Sequence, residues 1–165
     1  MVALDPKTGD ILAMVSKPSY DPDSLATHDR DKALAASKKL NNDDDDPLIN
    51  RAIGGNLYPP GSTFKIITSA AALANGYDLD SQIEGGASLK LPGVKAPLNN
   101  DDFLPCGPGG KTTLLHALEI SCNTAYASLG MELGAQTMRE QANKFGFNQE
   151  LSIPLKVTPS SFPEV

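Results

Sequence analysis

The sequence predicts an α+β fold, and three observations carry that expectation. Two short apolar runs, residues 2–5 and 10–15, flank the turn Asp5-Pro6-Lys7-Thr8-Gly9, which is the pattern of a β-hairpin. Helical periodicity then dominates residues 62–75, 112–120, 124–134 and 136–145. Helices that follow an early hairpin, rather than alternating with strands, predict segregated α and β elements. The 165 residues fit one domain or part of one, and 40% hydrophobic content is enough for a core.

Each element has a local reason. Pro6 and Gly9 supply the hairpin turn. Residues 16–30 are expected to be irregular, because Pro18 and Pro22 break them. Residues 31–40 carry a modest helical pattern, with Leu34 and Leu40 on a polar background. The run Asn41-Asn42-Asp43-Asp44-Asp45-Asp46-Pro47 reads as a solvated loop; a calcium-binding loop would need a glycine at its tight turn, and none is there. Residues 62–75 form the strongest helix, with Ile66, Ile67, Ala70, Ala71, Ala72 and Leu73, and Asn75-Gly76 ends it. Residues 77–110 are rich in Gly, Pro, Asn and Asp, with short strands expected near 82–84 and 88–91. Thr112 or Thr113 should cap the next helix. Gly134 and Gly146 should end the two that follow, and residues 151–165, with three prolines, look extended.

Composition excludes some functions. A net charge of −6 and a pI near 4.8 argue against nucleic acid, since phosphate binding needs basic patches. No apolar run is long enough to span a membrane, and no signal peptide is present. Met1 leads straight into a strand-like segment, which leaves room for a leader or anchor cut away ahead of it.

The most informative stretch is Tyr58-Pro59-Pro60-Gly61-Ser62-Thr63-Phe64-Lys65. Pro60-Gly61 ends whatever precedes it, so Ser62 falls at a helix start among unpaired amides. Lys65, three residues on, shares its face. A serine hydroxyl needs a base to become a nucleophile, and a desolvated lysine amine can be that base. Acting near neutral pH requires a drop of roughly 3 units from about 10.4, a shift that apolar burial can supply. Phe64, Ile66 and Ile67 provide apolar neighbours. The plainer reading of Ser-x-x-Lys is a capping serine and a surface lysine.

A second element is Ser121-Cys122-Asn123, between the apolar stretches 114–120 and 124–131. Ser121 can relay a proton, and Asn123 can hold a lysine amine and a substrate amide together. Ser-x-x-Lys followed by Ser-x-Asn is a signature of penicillin-binding proteins and β-lactamases. The stretches Leu4–Met14, Pro18–Pro22, Asn50-Arg51-Ala52 and Tyr58–Lys65 together resemble the transpeptidase domain of penicillin-binding proteins, in particular the monofunctional class B type of actinobacterial cell-division enzymes. The resemblance implies the serine transpeptidase/β-lactamase-like fold and a peptidoglycan D,D-transpeptidase that is acylated by β-lactams. Ser62 would attack a D-alanyl-D-alanine carbonyl and Lys65 would take its proton. Ser121 would pass a proton to the leaving amine, and Asn123 would orient Lys65 and hold the substrate. The Ser62 amide would form half of an oxyanion hole. Neither a metal nor an organic cofactor is required.

The implied partners are peptidoglycan stem peptides and β-lactams. The parent protein is expected to be membrane-anchored, to act on the extracytoplasmic face and to meet divisome proteins. The family's third motif, a Lys-Thr-Gly strand, should follow the other two. The Lys7-Thr8-Gly9 triplet precedes both and sits in a turn, so Lys7 reads as a solvated turn residue. Residues 1–165 thus read as roughly the first half of the domain, with an incomplete sheet and little or no activity alone. The missing second half is itself a candidate partner. Other readings are a β-lactamase or D,D-carboxypeptidase of the same fold, a non-catalytic division scaffold and a β-lactam sensor.

Cys106 and Cys122 leave two readings open. In an oxidising compartment they could form a disulfide; otherwise they are two thiols, one a small buried apolar side chain. Zinc is disfavoured, because four suitably spaced ligands are absent. Gly109-Gly110-Lys111-Thr112 resembles the end of a phosphate loop, but Pro105 stands where the pattern needs glycine. His28 and His116 lie far apart; His116 reads as a partly buried structural residue and Glu119 as an exposed carboxylate.

Overall fold

The computed structural model describes residues 1–151 and 153–164. The chain divides into two compact units. One holds Met1–Tyr58 with Glu150–Thr158, and the other holds Pro59–Gln149 with Pro159–Val165.

The first unit opens with the expected hairpin. Strands β1 (Val2–Leu4) and β2 (Ile11–Met14) pair antiparallel, with Val2 opposite Met14 and Ala3 opposite Ala13. The Asp5 carboxylate accepts the Lys7 amide at 2.7 Å, and Gly9 closes the turn at φ 79°. Helix α1 (Arg30–Asn41) is capped by Asp29, whose side chain accepts from the Asp31 and Lys32 amides. None of its residues is buried, as its polar sequence implies. Ser16 and Arg51 tie the following loop down. Ser16 Oγ donates to the Ile49 carbonyl and accepts the Arg51 amide, both at 3.0 Å. The Arg51 guanidinium donates to the carbonyls of Asp45 and Asp46.

The second unit contains the core. A 3-10 turn over Gly61–Phe64 leads into helix α2 (Lys65–Ala74). Strand β3 (Gln82–Glu84) pairs antiparallel with β6 (Lys111–Thr113), and β4 (Ser88–Leu89) with β5 (Leu98–Asn99). Helix α3 (Leu114–Glu119) follows, capped by Thr113 through the His116 amide. Helix α4 (Asn123–Lys144) breaks at Gly134, where φ 79° and ψ 158° leave the helical region. The expected helices 124–134 and 136–145 are therefore the two arms of α4. Strands β5 and β6 lie outside the expected strands; runs of two or three residues are too short to carry a readable alternation.

One cluster packs α2, β3, α3 and α4 together. Ala72, Ile83, Cys106, Leu114, Ala117, Cys122, Ala125, Tyr126 and Leu129 are buried against one another. Small residues dominate the α2–α4 face: Ala71, Ala72 and Ala125 are each 0% exposed, which lets the backbones approach closely. The Cys106 and Cys122 sulfurs are bonded, closing a loop that encloses β6 and α3. Gly107 is required there: a Cβ would lie 2.2 Å from the Lys111 carbonyl oxygen. Among the described residues, no helix is long and apolar enough to cross a membrane.

Candidate active site

Helix α2 begins one turn later than the sequence pattern suggests, and the reason bears on the site. Ser62 and Lys65 are joined through the 3-10 turn rather than an α-helical one. Three residues per turn stack side chains i and i+3 directly above one another. Gly61, at φ 58°, permits the entry into that turn. Ser62 sits in the first turn, whose amides have no acceptor within the helix.

Ser121 and Asn123 come from the turn between α3 and α4. The Ser121 amide donates to the Leu118 carbonyl at 3.1 Å, and the Cys122 amide to the Ala117 carbonyl at 2.8 Å. That pair of bonds is a Schellman motif, with Ser121 at the position normally given to glycine. Ser121 accordingly has φ 57°, in the left-handed region. Helices α2 and α4 end with the same long bond, Tyr77 to Ala72 and Phe147 to Ala142. Both carry glycine at the equivalent position, Gly76 at φ 92° and Gly146 at φ 89°. Only at α3, among these three ends, does a side chain occupy the strained position. The turn aims both the Ser121 carbonyl and its hydroxyl at Lys65.

The four residues form one connected network. Lys65 Nζ donates to the Ser121 carbonyl at 2.6 Å, to Ser121 Oγ at 2.8 Å and to Asn123 Oδ1 at 2.7 Å. Ser121 Oγ lies 3.1 Å from Ser62 Oγ. Among the described residues no hydrogen bond joins Ser62 directly to Lys65, so the link between them runs through Ser121. The Tyr126 ring centroid is 5.7 Å from Lys65 Nζ. Burial pushes the Lys65 pKa below its usual 10.5, and the Asp101 carboxylate pulls it partly back. Burial raises the Tyr126 pKa, against a bond of 2.6 Å to Ser69 Oγ, so the phenol stays neutral beside Lys65.

A ledge formed by Asn99, Asn100 and Asp101 supports this network. Asn100 is buried, and its side chain is saturated. Nδ2 donates to the Gly86 and Leu104 carbonyls, and Oδ1 accepts from the Thr124 amide at 3.0 Å and the Thr124 hydroxyl at 3.1 Å. Asn100 thereby fixes the first turn of α4. Nothing in the sequence singled these residues out, because polar residues in a Gly/Asn-rich stretch look like any loop. A cavity of about 160 Å³ lies alongside, walled by Asp101, Leu104, Ile120, Ser121 and the Cys106–Cys122 bridge.

Other sequence candidates fall outside the site. His116 was expected to be partly buried; it is exposed, and its ring bonds to Glu119 at 3.1 Å, because position 116 faces away from the Leu114 and Ala117 side of α3. Glu119 is exposed, as expected. Lys111 pairs across the β3–β6 ladder with Glu84, and the loop before it feeds a strand. Lys7 stays in the hairpin turn, exposed.

Comparison with known proteins decides the family. The profile of the penicillin binding protein transpeptidase domain matches residues 1–164. The chain belongs to that family. Among curated transpeptidases of the family, the peptidoglycan D,D-transpeptidase PbpA of Mycolicibacterium smegmatis is 47% identical over 162 residues, 98% of this chain and 33% of that protein. PbpA of Mycobacterium tuberculosis is 44% identical, over 99% of this chain and 32% of its own length. The imipenem acyl-enzyme complex of penicillin-binding protein A from M. tuberculosis superposes with a TM-score of 0.89 at 45% identity, covering 97% of this chain and 37% of that one. The D,D-transpeptidase domain from Eggerthella lenta gives a TM-score of 0.79 at 37% identity, over 98% of this chain and 36% of that one. The chain spans about a third of the length of these relatives. The expected α+β transpeptidase fold is borne out by these neighbours, and the actinobacterial cast of the motifs agrees with the mycobacterial relatives.

Proposed function

We propose that residues 1–165 carry the acylating machinery of a serine D,D-transpeptidase that acts on D-alanyl-D-alanine stem peptides and is acylated by β-lactams. The observation that carries this reading is the unbroken chain Ser62 Oγ–Ser121 Oγ–Lys65 Nζ–Asn123 Oδ1, with each link between 2.7 and 3.1 Å. The names of the mycobacterial relatives and the β-lactam acyl-enzymes among the structural neighbours support it.

The geometry supports one order of events. As an ammonium, Lys65 spends its three donors on Ser121 O, Ser121 Oγ and Asn123 Oδ1. Once neutral, it has a lone pair to accept with, and the hydroxyl chain reverses: Ser62 donates to Ser121 and Ser121 to Lys65. Ser62 Oγ then attacks the substrate carbonyl carbon while a proton reaches Nζ by way of Ser121. Collapse of the tetrahedral intermediate breaks the C–N bond, and the proton returns through Ser121 to the leaving amine. An acceptor amine later attacks the acyl-Ser62 ester, and Ser62 regains its proton. The Ser62 amide stabilises the oxyanion, and Asn123 holds the substrate backbone. The second oxyanion donor and the Lys-Thr-Gly strand come from outside residues 1–165. Losing one such donor costs about 10²–10³ in rate, so these residues acylate slowly or not at all when isolated.

The parent protein works where peptidoglycan is assembled, outside the cytoplasmic membrane, held by an anchor and in the company of division proteins. The Cys106–Cys122 bond fits an oxidising compartment.

Intact-mass spectrometry with benzylpenicillin tests the reading. The samples are this chain and a chimera in which it replaces the matched third of the M. smegmatis relative. A covalent adduct on the chimera that vanishes in Ser62→Ala is the expected result. A folded chimera that takes up no penicillin would overturn it.

A further inference from the structure

Asn123 faces two kinds of neighbour. On one side is the Lys65 Nζ, a pure donor when charged, which binds Oδ1 at 2.7 Å. On the other are two pure acceptors: the Asp101 carboxylate, which takes Nδ2 at 3.1 Å, and the Asn99 carbonyl, at 3.4 Å. Rotating the amide by half a turn would set NH₂ against the ammonium and oxygen against the carboxylate. Only one of the two orientations satisfies every group, and the acceptors on the Asp101 side select it.

We propose that Asp101 is a positioning residue of this site: its carboxylate holds the Asn123 amide with Oδ1 turned to Lys65, and it places a balancing negative charge behind that contact. The proposal rests on the acyl-transfer reading for its purpose but not for its geometry. The groups facing Lys65 are Ser62 from its own turn, Ser121, Asn123 and Tyr126 from the α3–α4 turn and α4, and Asp101 from the segment after β5. Tyr126 stays neutral, so among the described residues Asp101 supplies the charge that acts on Lys65. Asp101 itself is exposed, and its hydrogen bond among the site residues described is to Asn123 rather than Ser62, so it acts through Asn123 and Lys65. Its charge also favours a protonated Lys65, opposing burial. The residue thus sets the balance between an amine free to accept and an ammonium ready to return a proton.

Two variants separate hydrogen bond from charge. Asp101→Asn keeps an acceptor for Asn123 Nδ2 but removes the charge; Asp101→Ala removes both. In NMR of the isotopically labelled chain, the Lys65 titration midpoint should move to lower pH in both variants. The Asn123 side-chain amide signals should stay in place in Asp101→Asn and shift in Asp101→Ala. In the chimera, Asp101→Asn should move the rising, acid-side limb of penicillin acylation to lower pH with its plateau kept. Asp101→Ala should lower that plateau about tenfold, the worth of one hydrogen bond to a charged group. A Lys65 midpoint and Asn123 signals that match the parent in both variants would overturn the proposal. Absence of a penicillin adduct on the parent chimera would instead refute acyl transfer, and the titration result would still decide the role of Asp101.

Discussion

At the scale of single residues, Ser121 bears the cost of the site. A non-glycine residue in the left-handed region costs on the order of 1 kcal/mol or more, and Ser121 accepts it at φ 57° where α2 and α4 use glycine. Ser121→Gly should therefore raise unfolding free energy by about 1 kcal/mol in urea titration while abolishing penicillin uptake in the chimera. Ser121→Ala removes the same hydroxyl but keeps the strain, so it should lose uptake without that gain. Lys65 is the second residue held against its preference. Its folded pKa lies below the unfolded value near 10.5. Between the two values the unfolded chain binds the extra proton, so stability rises with pH there. The cost of the buried ammonium is fully present below the folded pKa and disappears above 10.5. Denaturation curves should show this rise in the parent and not in Lys65→Met. The same direction places the midpoint of the rising, acid-side limb of acylation below pH 10.5. Both residues were visible in the sequence as motif letters; Asp101 was not, since its meaning lies in which amide it faces.

At the scale of elements, the sequence spoke most clearly where one rule acted alone. Gly76, Gly134 and Gly146 marked helix ends or breaks, and each has a positive φ. Thr113 capped α3 as a β-region threonine should. The pattern failed where two rules competed. Ser62 and Thr63 fitted an α-helix, but Gly61 and the prolines before it tighten the entry into a 3-10 turn. The local pattern starts a helix at residue 112, but Lys111-Thr112-Thr113 forms strand β6, because its partner β3 lies far away in the chain. The Cys106–Cys122 bond pins that same strand and α3 to the head of α4. Closing a loop of this size contributes about 3 kcal/mol, so a reducing agent should lower the unfolding free energy in urea by about that amount. Coincident curves with and without reductant would refute a stabilising bond.

At the scale of the whole molecule, the order of elements was legible but the division of labour was not. Unit two contains the buried cluster, while in unit one α1 has no buried residue and β1 is exposed along its length. Nothing in residues 1–58 announced this, since Val2, Leu4, Ile11 and Leu12 have the apolar character of core strands. A sequence records which side chains are apolar, not how many others reach them.

The second unit is also discontinuous in sequence, and its last piece closes on the Ser62–Lys65 turn. Phe162 stacks on Phe64 at 5.9 Å, Phe147 meets the same ring edge-on at 5.8 Å, and Asn148 accepts the Phe162 amide at 2.9 Å. Phe64 lies between Ser62 and Lys65 in the chain, so the turn that holds both side chains is packed by residues translated about a hundred codons later. At roughly 5–20 residues per second, a nascent chain waits about 5–20 s between making Ser62 and being able to seat it. The site is thus among the last parts of this chain to mature during synthesis, although its first residue is made early.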